Sequence, residues 1–394
     1  MIQQNGMVLP VAVSIRVDDV GWFEGADERH LGLPSRSGLP RRHDPRDILT
    51  LNEIGKGLGV KVLCNLILGE WDFKNRLRGV PHETWNEEGW DAASVVAENR
   101  AFFDSAFAAL EESEHLEYGL HGLLHGYYVD GKLYDEKYAY PFTAKNERGE
   151  WVRLPRDYGE FDRMLTLFRE IYDDWGFRRE IHVWEAGCGC FGKPEDPVNR
   201  DLAAILRRHG IGIWEWGGWP GIATVQDGTI FLPSALGFLP WDAYSIDPTI
   251  MHNVFESPRG HGIVPNICGH LTNFIQFQPE KNFEYVGAWV DYFRRITSPF
   301  GAMLARDNEA AASQAVYAAY AKTDRVDGGY RIDLAPVDAV RTPLVEDEFF
   351  VSLREMALPS VSGGTASVFA CRPDHVIYKI RRNADADTVE IRFS

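Results

Sequence analysis

Apolar positions in the first three-quarters of the chain follow two alternating rhythms. Val8–Val17 is a nearly continuous Val/Ile run and reads as a buried strand, as does Lys61–Leu68. Between them Pro45–Leu58 carries helical spacing and stops near Gly59. Asp91–Glu112 is predicted as one amphipathic helix with Val95, Val96, Phe102, Phe103, Phe107 and Leu110 on its apolar side. Leu116–Leu120 follows as a short strand, and Tyr158–Trp175 as a further amphipathic helix. Glu180–Trp184, Ile211–Trp216, Thr229–Leu232 and Gly262–Cys268 read as strands, Asn199–His209 and Glu284–Ile296 as helices. The segment from Tyr127 to Pro155 is polar, rich in Tyr and without clear period. Beyond Phe300 the rhythm changes. Met303–Lys322 is an Ala-rich helical stretch, and Tyr330–Leu334, Val376–Arg381 and Thr388–Phe393 alternate apolar with polar residues, as half-buried strands do.

Strand–helix alternation argues for an α/β fold with a parallel sheet. Chemistry-bearing residues fall at the C-terminal ends of several separate strands, which favours a β/α barrel over an open sheet. The chain therefore divides into a barrel over 1–300, a connecting helix over 301–327 and a small β-rich appendage over 328–394. A length of 394 residues, 45% of them hydrophobic, suits one barrel with an appendage.

Composition narrows the partners. With 58 acidic against 41 basic residues the net charge is −17. Such a chain repels phosphate backbones and anionic membrane faces, so neither nucleic acid nor membrane is expected. A small neutral or cationic ligand is easier to hold, and the composition leaves room for a homo-oligomer. The N-terminus has no basic segment ahead of an apolar run, and the five cysteines (Cys64, Cys188, Cys190, Cys268, Cys371) form no disulfide framework. A cytoplasmic location is the expectation.

Two motifs carry chemistry. Ser14-Ile15-Arg16-Val17-Asp18-Asp19-Val20-Gly21 runs an apolar strand into adjacent carboxylates, both able to reach one pocket where a strand ends. In Tyr118-Gly119-Leu120-His121-Gly122-Leu123-Leu124-His125, histidines four apart are expected on one face of a helical turn, where they can share a metal ion. Gly119 and Gly122 beside the first His suit close backbone approach. Cys188-Gly189-Cys190 lacks a second pair and reads as loop cysteines.

Together the two motifs resemble the polysaccharide deacetylase, or NodB-homology, family over about residues 8–300. That resemblance implies a distorted (β/α) barrel whose open end binds carbohydrate. It implies Asp18 as catalytic base and Asp19, His121 and His125 as ligands of one divalent metal, with Zn2+ the default and Fe, Co or Ni fitting the same donors. His270, ending a late strand in Cys268-Gly269-His270, takes the position of the family's acid. The family's third motif, an Arg at a strand end, is missing from Ile181-His182-Val183-Trp184-Glu185-Ala186-Gly187. Glu185 stands there instead and is assigned to substrate binding or to support of the site. Trp216 and Trp219, among glycines, and Tyr127 are assigned to stacking on a sugar. The expected activity is metal-dependent removal of an N-acetyl or related acyl group from an amino sugar or small conjugate. The competing readings are another carbon–nitrogen hydrolase on the same barrel, a glycosidic hydrolase using Glu185 or Glu215 with Asp18, or an inactive carbohydrate-binding protein.

Overall fold

Val11–Val20 (β1) is buried along its whole length, so it needs cover on both sides. The structure, a computed structural model, describes residues 6–21, 41–84, 87–124, 127–129, 132–134, 137–138, 143–145, 148, 151–153, 157–185, 193–217, 221–234, 246–250, 264–355 and 358–393. Alternation divides β1 by face. Val13, Ile15 and Val17 join the core that also holds Ile48, Leu51 and Ile54 of α1 (Pro45–Leu58). Ser14, Arg16 and Asp18 take the opposite face and meet polar partners there. The strand starts three residues later than its pattern predicts. Pro10, which has no N–H to donate, separates it from Met7–Val8, and those two residues pair with Glu348–Leu353 instead.

Around β1 the sheet takes up Val62–Ile67 (β2), Leu116–Gly122 (β3), Val183–Glu185 (β4), Ile213–Gly217 (β5), Thr229–Ser234 (β6) and Asn266–His270 (β7). Their order is β6-β5-β4-β3-β2-β1-β7, all parallel, with Thr224–Gln226 antiparallel on β6 and Ala302–Leu304 parallel on β1. If the sheet were flat, β5 and β7 would lie about 24 Å apart at ~4.8 Å per strand. Yet Asn266 Nδ2 of β7 donates to Glu215 Oε1 of β5 at 2.6 Å. The sheet therefore rolls until its two ends face one another. It stops short of the expected barrel: β6 and β7 approach but do not pair among the described residues.

Helices α1, Arg100–Glu112 (α2), Tyr158–Trp175 (α3), Pro197–Arg208 (α4) and Val286–Ile296 (α5) connect the strands. Local chemistry sets their ends. Asp44 caps α1 through the Arg46 N–H, and Gly59 closes it at φ +73. The expected single helix over 91–112 is two, Ala92–Glu98 and α2. Asn99 bonds back to the Val95 carbonyl at 2.8 Å and breaks the run.

The Ala-rich helix is Asn308–Tyr320 (α6), shorter than its pattern predicts because Ala302–Leu304 is a strand and Asp307 caps the helix through the Ala310 N–H. Its Ala312, Ala315 and Val316 share a core with Leu63, Val183, Ile213 and Ile230 from the inner face of the sheet. So α6 plugs the N-terminal mouth of the roll, and its small residues permit that approach. The residues beyond α6, with Met7–Val8, form two four-stranded antiparallel sheets, one ordered Met7–Val8, 348–353, 376–382, 364–371 and the other 322–326, 329–333, 388–392, 360–362. Three strands cross the boundaries drawn from sequence: Met7–Val8 and Lys322–Val326 pair within the appendage, and Ala302–Leu304 joins the main sheet. No helix among the described residues is long and apolar enough to cross a membrane.

Candidate functional site

Two irregularities in neighbouring strands shape the C-terminal end of the roll. Pairing of β1 with β2 shifts register between Val17 and Val20, and Asp19 sits there at φ +62, a left-handed conformation that Asp tolerates better than most residues. Pairing of β2 with β3 shifts between Leu66 and Ile67, opposite Leu120 and Gly122, and Gly122 has φ +142. Such bulges re-aim side chains. Here one brings Asp19 to the same end as Asp18, and the other turns His121 toward them. His121 is therefore the end of a strand and not part of a helical turn, a correction to the spacing argument. His125 lies outside the described residues.

His121 is held at both ring nitrogens. Nδ1 bonds the Glu185 backbone carbonyl at 3.2 Å and lies 2.5 Å from Glu185 Oε2, and Nε2 lies 3.2 Å from Asp19 Oδ1. His270, beside Asp18 in the register of β7 on β1, brings Nε2 to 4.0 Å from Asp19 Oδ2 and keeps a partly exposed side chain. Asp18, His121 and Glu185 each place a donor atom within 4.8 Å of the others, all three buried.

Asp18 is tied from three directions. Arg16 Nη2 donates to Oδ2 at 2.8 Å, Asn65 Nδ2 donates to Oδ1 at 2.7 Å, and the Cys268 thiol reaches Oδ2 at 3.1 Å. Arg16 also lies 3.4 Å from both Glu185 Oε1 and Glu215 Oε2. Beneath, Glu215 Oε1 accepts from Asn266 at 2.6 Å and from Asn308 of α6 at 2.5 Å. Arg16 of β1 thus places one guanidinium among three carboxylates.

Charge follows this wiring. Burial alone would raise the pKa of Asp18, but Arg16, His121, His270 and the Asn65 bond outweigh it and the net shift is downward. Burial would lower that of His121, but Glu185, Asp19 and Asp18 hold the ring's proton well above the ordinary histidine range. Burial raises Glu185, with Arg16 opposing, and takes Glu215 up to about 7. Three buried carboxylates, Asp18, Glu185 and Glu215, face the Arg16 guanidinium, and Asp19 faces His121 and His270.

The donor chemistry fits a divalent metal. Two ligands of a tetrahedral ion at its usual bond lengths sit about 3.4 Å apart, close to the separation of Asp19 Oδ1 and His121 Nε2. A metal-binding His commonly gives its other nitrogen to a carboxylate, which is the relation of His121 to Glu185. Glu185, assigned to substrate binding or to support of the site, is buried beside His121. Trp219, Cys188 and Cys190 lie outside the described residues. For Tyr127 and Trp216 only the backbone is described, in Tyr127–Val129 and in β5.

The sequence reading passed over Arg16, Asn65, Cys268, Asn266 and Asn308. One signal was available: Ser14, Arg16 and Asp18 stand two apart in a strand, so they share a face, and a charged face inside an otherwise apolar strand marks a polar interior.

No family model matches the chain, and no curated protein does. Among solved structures it is similar to an endogalactoceramidase, 12% identical over 98% of this chain and 96% of that one, at a TM-score of 0.25. It is also similar to endo-glycoceramidase II from Rhodococcus sp., 10% identical over 97% of each chain, at a TM-score of 0.26. Superpositions this loose leave fold and activity to be argued from the chain's own residues.

Proposed function

We propose that the chain is a metal-dependent hydrolase of the polysaccharide deacetylase type, releasing an N-acetyl or related acyl group from an amino sugar or small conjugate. The observation that carries this reading is His121: one nitrogen is locked on Glu185 while the other faces Asp19 Oδ1 at 3.2 Å, with Asp18 alongside. Asp19 and His121 would hold the ion, with His125 as third ligand and Zn2+ the default. When bound, such an ion supplies Lewis acidity and a water of lowered pKa.

The chain's own groups do the rest. Asp18, held ionised by Arg16 and oriented by Asn65, accepts the proton of the attacking water. His270, the partly exposed member, would return a proton to the leaving amine. A net charge of −17 favours a neutral amide substrate over an anionic polymer.

Glycosidic hydrolysis is the second reading, supported by the convergence of Asp18 and Glu185 on one nitrogen of Arg16. The engagement of Glu185 by His121 favours the metal reading, since a glycosidase carboxylate must face its substrate.

Elemental analysis of the wild type beside Asp19→Ala and His125→Ala tests the proposal, followed by acetate release from N-acetylated amino sugars. About one metal per chain, lost in both variants, is expected for a single catalytic site. A wild type that takes up neither zinc nor iron when supplied with them refutes it.

A further inference from the structure

The interior polar chain does not end at Arg16. It continues down the axis of the roll to the helix that plugs it. Asn308 Nδ2 donates to Glu215 Oε1 at 2.5 Å and lies 3.2 Å from Ser14 Oγ. The other Glu215 oxygen stands 3.4 Å from Arg16 Nη1, and Arg16 Nη2 is 2.8 Å from Asp18 Oδ2. All five residues are buried, Asn308 with no exposed surface at all. Asn308 opens a 13-residue helix whose other end leads into the β appendage through Lys322–Val326. Glu215 and Arg16 are both long side chains with several rotatable bonds, and a buried ion pair between them needs further bonds to fix its geometry. Asn308 and Asn266 supply those bonds, both to one oxygen of Glu215.

We propose that Asn308 is a positioning residue, which fixes Asp18 through Glu215 and Arg16 and so makes the plug helix part of the catalytic apparatus. The proposal rests on the hydrolase reading for its kinetic consequence and on geometry alone for the relay. It gives α6 a task beyond filling space: the appendage, by holding α6 in the mouth of the roll, sets the aim of a carboxylate at the opposite end.

The helix is also anchored by a bond outside the relay. The Asn308 backbone N–H donates to Glu117 Oε1 at 2.7 Å. Glu117→Gln alters that backbone anchor and leaves the side-chain bonds of Asn308, Glu215 and Arg16 in place, so it reports what mere loosening of α6 does. Two readouts are taken on the full-length wild type, Asn308→Ala and Glu117→Gln. The first is the rate of iodoacetamide alkylation at Cys268, followed by peptide mass spectrometry, because Cys268 Sγ lies 2.9 Å from Arg16 Nη2 and reports its position without any need for activity. The second is kcat and KM for acyl release by the metal-loaded protein.

Faster Cys268 alkylation in Asn308→Ala, with kcat down about tenfold at unchanged KM, is expected from loss of a bond to a charged group. Glu117→Gln should match the wild type in both. Asn308→Gln, which keeps the amide, should recover part of the kcat. If the wild type releases no acyl group but alkylation still responds to Asn308→Ala alone, the relay stands and the hydrolase reading falls. Wild-type alkylation in Asn308→Ala, or equal acceleration in Glu117→Gln, overturns the relay.

Discussion

Replacing Glu185 by Gln isolates what the carboxylate does for His121. The change keeps shape and removes one charge 2.5 Å from Nδ1 and 3.4 Å from Arg16. If the pair orients a metal ligand, affinity for Zn2+ should fall about 10- to 100-fold, the usual effect of removing such a partner. That is a loss of about 1.4 to 2.7 kcal/mol. A second consequence follows from charge. Although burial lowers the His121 pKa, Glu185 is the largest influence opposing it, and the net position is well above the ordinary value. The ring must lose its proton to bind a metal, so wild-type affinity should climb as pH rises toward that raised pKa. In Glu185→Gln the ring lets go of its proton at lower pH, so the climb should begin earlier and end at a lower plateau. Competition titrations against a chromogenic chelator across the pH range measure both effects. A variant with wild-type affinity and the wild-type pH profile would show that Glu185 does not orient a metal ligand, and the site would have to be rebuilt around other donors.

Glu215 and Gly119 offer independent checks. Burial raises the Glu215 pKa from 4.5 to about 7 against the pull of Arg16. The folded chain thus holds this proton more tightly than the unfolded one, and the stability it contributes is full below pH 4.5 and lost as pH rises through about 7. The full effect is about 3 kcal/mol, so denaturation midpoints of the metal-free wild type should fall over that window relative to those of Glu215→Gln; parallel curves would refute the assignment. A Cβ at Gly119 would come within 1.9 Å of Asn65 Oδ1. Gly119→Ala should therefore push Asn65 off Asp18, cost about 1–3 kcal/mol in urea unfolding and lower turnover while metal content stays at the wild-type level.

The sequence by itself determined the elements whose signals are local. Helices α1 and α3 end where Asp44, Gly59, Asp157 and Gly176 say they should, because a cap acts on backbone groups within one turn of itself. The α/β alternation, and the placement of Asp18 and Asp19 at the end of an apolar strand, were legible for the same reason. Strands gave weaker boundaries: β1 begins at Val11 because Pro10 interrupts pairing, and Asn99 broke a helix whose apolar spacing ran straight through it.

Only the tertiary structure decided what those side chains touch. Asp18 meets Asn65 and Cys268 across 47 and 250 residues of chain, respectively. No periodicity encodes which parallel strands become neighbours, since each strand's pattern is the same whatever lies beside it. The bulges at Asp19 and at Gly122 are properties of pairing between strands, so the helical-turn reading of His121 could not be corrected from spacing. Arg16 is the plainest case. In sequence it is one charge in an apolar run. Once the sheet rolls and α6 closes its floor, Arg16 is buried with carboxylates as its nearest charges, and the low dielectric around it gives each of those contacts its strength.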